Sequence, residues 1–166
     1  MKTDSGKRFE GRFAKSLHNL CPGASFDNHE LRYMRIEDGG GVAKNRQFGD
    51  FFYWDEDGLA WCIECKATSE KSFPIRNLPA NQMAALKTWE LINPRHRSVV
   101  AVNLYGEKPS KENDCFLIRY NTYENLVRRA LEARRASIPR EWLSECGKLQ
   151  TKAPGGLWDL DFGGLE

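Results

Sequence analysis

The residues best suited to chemistry are two carboxylates and an amine: Gly49-Asp50, thirteen intervening residues, then Glu64-Cys65-Lys66. Alternate residues of a β-strand share a face, so Glu64 and Lys66 project to one side and Cys65 to the other. If the preceding strand folds back as a hairpin, Asp50 arrives beside Glu64. Two carboxylates on rigid neighbouring strands make a hard-oxygen site for a divalent ion. Magnesium suits it, because it takes few protein carboxylates and keeps waters for substrate oxygens, and manganese can substitute. Such an ion lowers the pKa of a bound water and clamps a phosphate. Lys66 can position or activate that water and offset charge at the phosphate. The alternative for a Glu-x-Lys sequence is a surface ion pair.

The elements that must hold these residues can be read from periodicity. Ser5 to Leu20 reads as a helix with Phe9, Phe13, Leu17 and Leu20 on one face, Ser5 as its cap, and Cys21-Pro22-Gly23 as its stop. Glu30–Ile36 alternates loosely, as a strand does, and runs into the loop Glu37–Gly41. Phe48–Trp54 and Leu59–Ala67 read as a strand pair joined by the turn Asp55-Glu56-Asp57-Gly58. A second helix is expected from Pro79 to Asn93, its buried side supplied by Met83, Leu86, Trp89 and Leu91 or Ile92. Ser98–Tyr105 is a continuous apolar run, as in a strand covered on both faces, and Asp114–Arg119 is a further strand. A third helix is expected from a cap at Asn121 or Thr122 to about Ala136. The tail is irregular and is expected to dock by Trp158. This order predicts an α/β fold, a mixed central β-sheet flanked by helices. One domain is expected over residues 1–166, with a core of about 5–136 and a C-terminal extension of about 137–166.

Composition narrows the classes. The chain has 166 residues, 40% of them hydrophobic, which is enough for a real core without disulfides. The formal net charge of +2 does not by itself announce a nucleic-acid binder, but cations gather in the first sixteen residues and from Arg119 to Lys152. Five irregularly spaced cysteines and no apolar leader suggest reduced thiols in a cytoplasmic protein. No apolar run is long enough to span a bilayer.

The residues around the acids form a wider pattern: Gly6-Lys7-Arg8-Phe9-Glu10, Gly49-Asp50, Ile63-Glu64-Cys65-Lys66-Ala67-Thr68, Ser72-Phe73-Pro74-Ile75 and Asn81-Gln82. As a set, over roughly residues 5–105, it resembles the RecU-type Holliday junction resolvases of the PD-(D/E)XK nuclease superfamily. The resemblance implies a restriction-endonuclease-like core. It implies Asp50 and Glu64 as metal ligands, with the Cys65 carbonyl as a further one and Glu10 reaching the metal directly or through water. Lys66 corresponds to the catalytic lysine, and Gln82 to the residue that touches the attacking water or the phosphate. Without it, Glu10 reads equally as an exposed helix acid, and Gln82 as a polar residue of a helix's first turn.

The expected activity is magnesium-dependent cleavage of branched DNA, above all four-way junctions, by a homodimer, since symmetric resolution needs two cuts. Phosphate contacts are expected from Lys7, Arg8, Arg35, Lys44, Arg46, Lys71 and Arg76, or else from Arg128, Arg129, Arg134 and Arg135. Leu20, Trp61, Trp89 and Trp158 are candidate dimer contacts. Alternatives are another repair or restriction-like nuclease of the superfamily, or a DNA-binding or phage-structural module without catalysis. Two departures stand out. Gly49 occupies the position of the family's proline, and the segment before Asp50 is short where relatives project a basic element.

Other signals are weaker. Cys62 and Cys65 have a metal-knuckle spacing, but on a strand they face opposite sides, and no second pair accompanies them. Asp55–Gly58 lacks a usable first ligand for a calcium loop, because that position is Tyr53. His18, His29 and His96 form no ligand set and are expected at the surface. Gly39–Gly41 lack the lysine of a phosphate-binding loop.

Overall fold

The computed structural model describes residues 5–20, 33–35, 48–105 and 113–165. Helix α1 (Ser5–Leu20) forms as the periodicity requires, with Phe9, Phe13 and Leu17 buried along one stripe. Strands β1 (Tyr33–Arg35), β2 (Phe51–Trp54) and β3 (Ala60–Thr68) follow. A short β4 (Ser72–Pro74) and one 3-10 turn (Ile75–Asn77) lead into α2 (Ala80–Ile92). Next come β5 (His96–Leu104), β6 (Asp114–Arg119) and α3 (Tyr120–Glu132). The remainder comprises β7 (Ser137–Pro139), α4 (Arg140–Cys146), β8 (Lys148–Leu149), β9 (Thr151–Ala153) and β10 (Leu157–Asp159).

The fold is α/β with a mixed central sheet. The strand order is β1-β2-β3-β5-β6-β8; β3 and β5 run parallel and the other pairs antiparallel. The crossover from β3 to β5 carries α2, the usual way to return a chain for a parallel pair. Each face of the sheet buries its own core. Ile63, Cys65, Val99 and Ala101 pack under α1 and the tail around Trp158 and Phe162, while Cys62, Val100, Val102 and Ile118 pack under α2, α3 and α4. Strand β5 is buried on both faces, which explains its unbroken apolar run. Phe13 lies fully buried beneath α1, and an aromatic side chain in such a place contributes roughly 1.5–3 kcal/mol.

Strands β2 and β3 form the expected hairpin, with Phe51 opposite Ile63 and Trp54 opposite Ala60. Its turn is held by Asp55, whose Oδ1 accepts from the Leu59 N–H (2.8 Å) and whose Oδ2 accepts from the Trp61 indole (2.7 Å). Gly58 supplies the positive φ of 75° that the turn requires.

Several expectations are corrected. Neither Asn121 nor Thr122 caps α3; β6 runs straight into the helix at Tyr120, with Arg119 at the cap position and its guanidinium paired with Glu90 (3.2 Å) instead of capping the helix. The helix stops at Glu132, before Ala136, because Arg134 takes φ 55° and the Arg135 N–H closes on Ala130 O. His96 is half-buried rather than exposed: its ring stacks on Trp89 at 3.8 Å and its Nδ1 lies 3.0 Å from Trp89 O. Leu91 and Ile92, expected on the buried side of α2, are exposed in its last turn. Trp61 and Trp158, each 1% exposed, belong to the interior and cannot supply contact between copies. Trp158 docks as expected, edge-on to Phe9 with its N–H donating to Ser16 Oγ (3.0 Å). No helix among the described residues is long and apolar enough to cross a membrane.

Candidate functional site

The site forms where β2 leaves β3. Strand β2 begins at Phe51, three residues later than its sequence suggests, because Asp50 sits in a bend. The Asp50 N–H still donates to Ile63 O (2.8 Å). Two residues further along β3 the backbone ladder fails, and Asp50 Oδ2 takes its place by accepting from the Cys65 N–H at 2.7 Å. A ladder bond is thus replaced by a charge-assisted one, which fixes the carboxylate against the strand.

Gly49 explains this approach. A Cβ there would lie 2.8 Å from Cys62 Sγ and 2.9 Å from Ile63 O. No side chain fits between the 48–50 segment and β3, so glycine stands where the resemblance led one to look for proline.

Glu64 and Lys66 share a face, as alternation predicts, and Lys66 Nζ donates to Glu64 Oε1 at 2.6 Å. This is not a surface ion pair. Glu64 is 3% exposed and Lys66 is 19% exposed. Burial, then the negative charge of Asp50, push the Glu64 pKa up to about 7; Lys66 pulls it down and Glu10 adds a further upward push. The field of two further carboxylates, Asp50 and Glu10, therefore converges on one buried oxygen pair, and one ammonium offsets only part of it.

Cys65 points to the opposite face, into the core beneath α1. In a strand the N–H and C=O of one residue point to the same neighbour. Since the Cys65 N–H meets Asp50, its carbonyl opens toward the same edge. Asp50, Glu64 and the Cys65 carbonyl therefore offer only oxygens at one place. Among the described residues no three His, Cys, Asp or Glu side chains form a ready cage for an ion. The set present, two carboxylates and a carbonyl with an excess of buried negative charge, fits magnesium, which completes its shell with water. The thiols of Cys62 and Cys65 are held well above their ordinary pKa by burial first, and so are poor nucleophiles.

Glu10 lies half-buried on α1 and acts on Glu64 and Cys65 through its charge. Gln82 stands in the first turn of α2, its N–H bonded to Pro79 O (3.0 Å). No hydrogen bond among the described residues joins it to Asp50, Glu64 or Lys66, yet its side-chain Oε1 is buried without a protein donor. Such an atom calls for a water or a substrate donor. The Ser72-Phe73-Pro74 segment is β4, pinned to β7 by pairing and by a Ser72–Ser137 hydroxyl bond of 2.8 Å.

Of the expected phosphate contacts, Lys7, Arg8, Lys71 and Arg76 are exposed, and Arg76 lies 3.7 Å from Glu70. The side chain of Arg35 and the residues Lys44, Arg46 and His29 lie outside the described parts. In the alternative set, Arg129 stacks over Trp142 at 3.8 Å and pairs with Glu145. Arg12, one of the cations of the first sixteen residues that is not among the expected phosphate contacts, stacks on Trp158 at 4.4 Å. Its spacing four residues after Arg8 is the signal that would have found it.

No protein-family model matches this chain, and no curated protein matches it either. The chemistry of the site therefore rests on its own residues.

Proposed function

We propose that the protein is a magnesium-dependent endodeoxyribonuclease with a restriction-endonuclease-like core, acting on branched DNA. One observation carries the reading: Asp50, Glu64 and Lys66 meet at the point where β2 parts from β3, with Glu64 buried among like charges. A structural role does not account for a buried acid placed beside a second acid, since each raises the cost of ionising the other. A divalent ion removes that cost.

Asp50, Glu64 and the Cys65 carbonyl would hold the ion, which supplies water activation and charge neutralisation at a phosphodiester. The remaining work falls to the protein's own groups. Lys66, anchored on Glu64, presents its ammonium at the same edge, where it orients an attacking water and offsets charge on the phosphate. Gln82 supplies an acceptor for a water proton. Glu10 keeps the surroundings acidic, so that a cation is retained. Lys7, Arg8, Lys71 and Arg76 are suited to phosphates flanking the cut. On this reading the enzyme is a homodimer that places two such sites on a four-way junction.

The test is cleavage of end-labelled four-way junction, flap and linear duplex DNA of equal length, with and without magnesium, alongside sedimentation. Magnesium- or manganese-dependent cutting of the junction by a dimer is expected, with calcium supporting binding only. Undiminished cutting in excess chelator would overturn the metal mechanism. A cutting monomer without junction preference would remove the junction reading and leave the nuclease.

A further inference from the structure

Helix α1 separates its charges by flank. At about 100° per residue, Glu10 and Arg12 lie about 160° apart around the axis, on either side of the buried stripe of Phe9, Phe13 and Leu17. Glu10 lies on the flank from which its charge reaches Glu64 and Cys65, whereas Arg8, Arg12 and Lys15, spaced i, i+4, i+7, share the other flank. Arg8 and Lys15 are exposed and Arg12 is half-buried.

That second flank borders a cavity of about 400 Å³ between α1 and the β9–β10 hairpin. Its walls include Arg12, Lys152, Asn113, Trp158 and the turn glycines Gly155 and Gly156, with no carboxylate among the described residues. The Arg12 guanidinium is held in place without being neutralised. Trp158 stacks beneath it, and the neutral Asn113 amide abuts Nη1 (2.7 Å) and Nη2 (2.6 Å), where it would accept from both with its oxygen turned toward Arg12. Among the described residues no carboxylate pairs with Arg12. Among the described residues the acid that reaches Lys152 is Asp114 at 4.0 Å, which is already engaged by Arg140 at 2.6 Å. Gly155 and Gly156 both have φ 73°, and a Cβ on Gly156 would come within 3.1 Å of Arg12 Nη2. The turn thus brings bare backbone up to the guanidinium.

We infer that this cavity is an oxyanion site, and that it seats a DNA backbone phosphate away from the one cut, continuous with the basic flank of α1. A planar fork fixed at one edge by an amide and free at another, a second ammonium and a glycine backbone are what a tetrahedral oxyanion needs. Only the identity of the ligand as DNA rests on the nuclease reading. The two flanks of α1 lie roughly one helix diameter, about 10 Å, apart, so a strand crossing the helix can touch both.

Two measurements on the full chain test this. The first titrates inorganic phosphate and follows the amide signals of Gly155 and Gly156 and the Trp158 indole by NMR. Saturable shifts are expected, weakened in Lys152→Ala, whose side chain is largely exposed; no shift would overturn the site. The second measures binding of labelled duplex in chelator across a salt series. The slope of log affinity against log salt should fall by about 0.9 in Lys152→Ala and about twice that in the Arg8→Ala/Lys15→Ala double variant. Phosphate shifts with unchanged slopes would overturn the DNA assignment and leave a site for a small oxyanion. A wild-type chain that takes phosphate yet binds no DNA would bring down the nuclease reading and the DNA assignment together, leaving the cavity's chemistry intact.

Discussion

The two ends of the β2–β3 hairpin each carry an aspartate bonded to the backbone of the chain that returns from it, and they use it differently. Asp55, at the turn, spends both oxygens on the fold, one on Leu59 N–H and one on the Trp61 indole. Its acidic neighbours Glu56 and Asp57 are exposed to water, where their repulsion is weak. Asp50, at the open end, bonds Cys65 N–H and stands beside a buried glutamate whose ionisation it opposes. What separates a structural carboxylate from a candidate functional one is therefore the buried like charge next to it. Sequence, where the turn is the more acidic end, points the other way.

The contrast predicts that the two aspartates fail differently. Asp50→Asn or Glu64→Gln should lower single-turnover cleavage by roughly 10³-fold or more while DNA binding persists, because a lost carboxylate also reduces repulsion of phosphate. Asp55→Asn should leave cleavage within a few fold and instead cost about 1–3 kcal/mol in urea unfolding. An active Asp50→Asn protein would dissolve the contrast and put the site elsewhere.

Stability against pH sharpens it. The Glu64 pKa is raised in the fold to about 7 from an ordinary value of 4.5, so the folded state prefers the protonated acid. Its contribution is intact below the ordinary value and is lost as pH rises through about 7. In divalent-free buffer Glu64→Gln should thus be more stable than the parent by a few kcal/mol at about pH 8, with the advantage gone by about pH 4. Added magnesium should close the gap at the higher pH. Asp55→Asn should show no such alkaline gain. Denaturant melts at both pH values measure this.

The smallest effects concern the glycine at each end. Gly49→Ala forces a Cβ against Ile63 O and should cost roughly 1–3 kcal/mol, with a loss of cleavage as Asp50 shifts. Gly58→Ala strains only a turn at φ 75° and should cost about 1 kcal/mol with cleavage kept. Equal losses of activity would show that the two ends are not independent.

Much of the frame was legible because it is local. The α1 stripe, the hairpin, the common face of Glu64 and Lys66 and the doubly covered β5 all follow from periods of 3.6 and 2. What escaped depends on neighbours distant in sequence. Gly49 is glycine because of Cys62 and Ile63, which no spacing rule reveals. The burial of Trp61 and Trp158, which in sequence look like sticky aromatics, follows from the tail folding back beneath α1. The end of α3 turns on one arginine accepting a left-handed conformation, where sequence offers no glycine to announce it.

The bond from the Trp158 N–H to Ser16 Oγ spans 142 positions of the chain. Closing a loop of that size comes late in folding, after the local hairpin and helices have formed. Helix α1 is therefore not an independent unit of stability but one half of a clasp whose other half is β10. Opening of either half should therefore loosen the other, and amide exchange in α1 and in residues 157–159 is expected to report a single free energy for the helix that carries both Glu10 and Arg12.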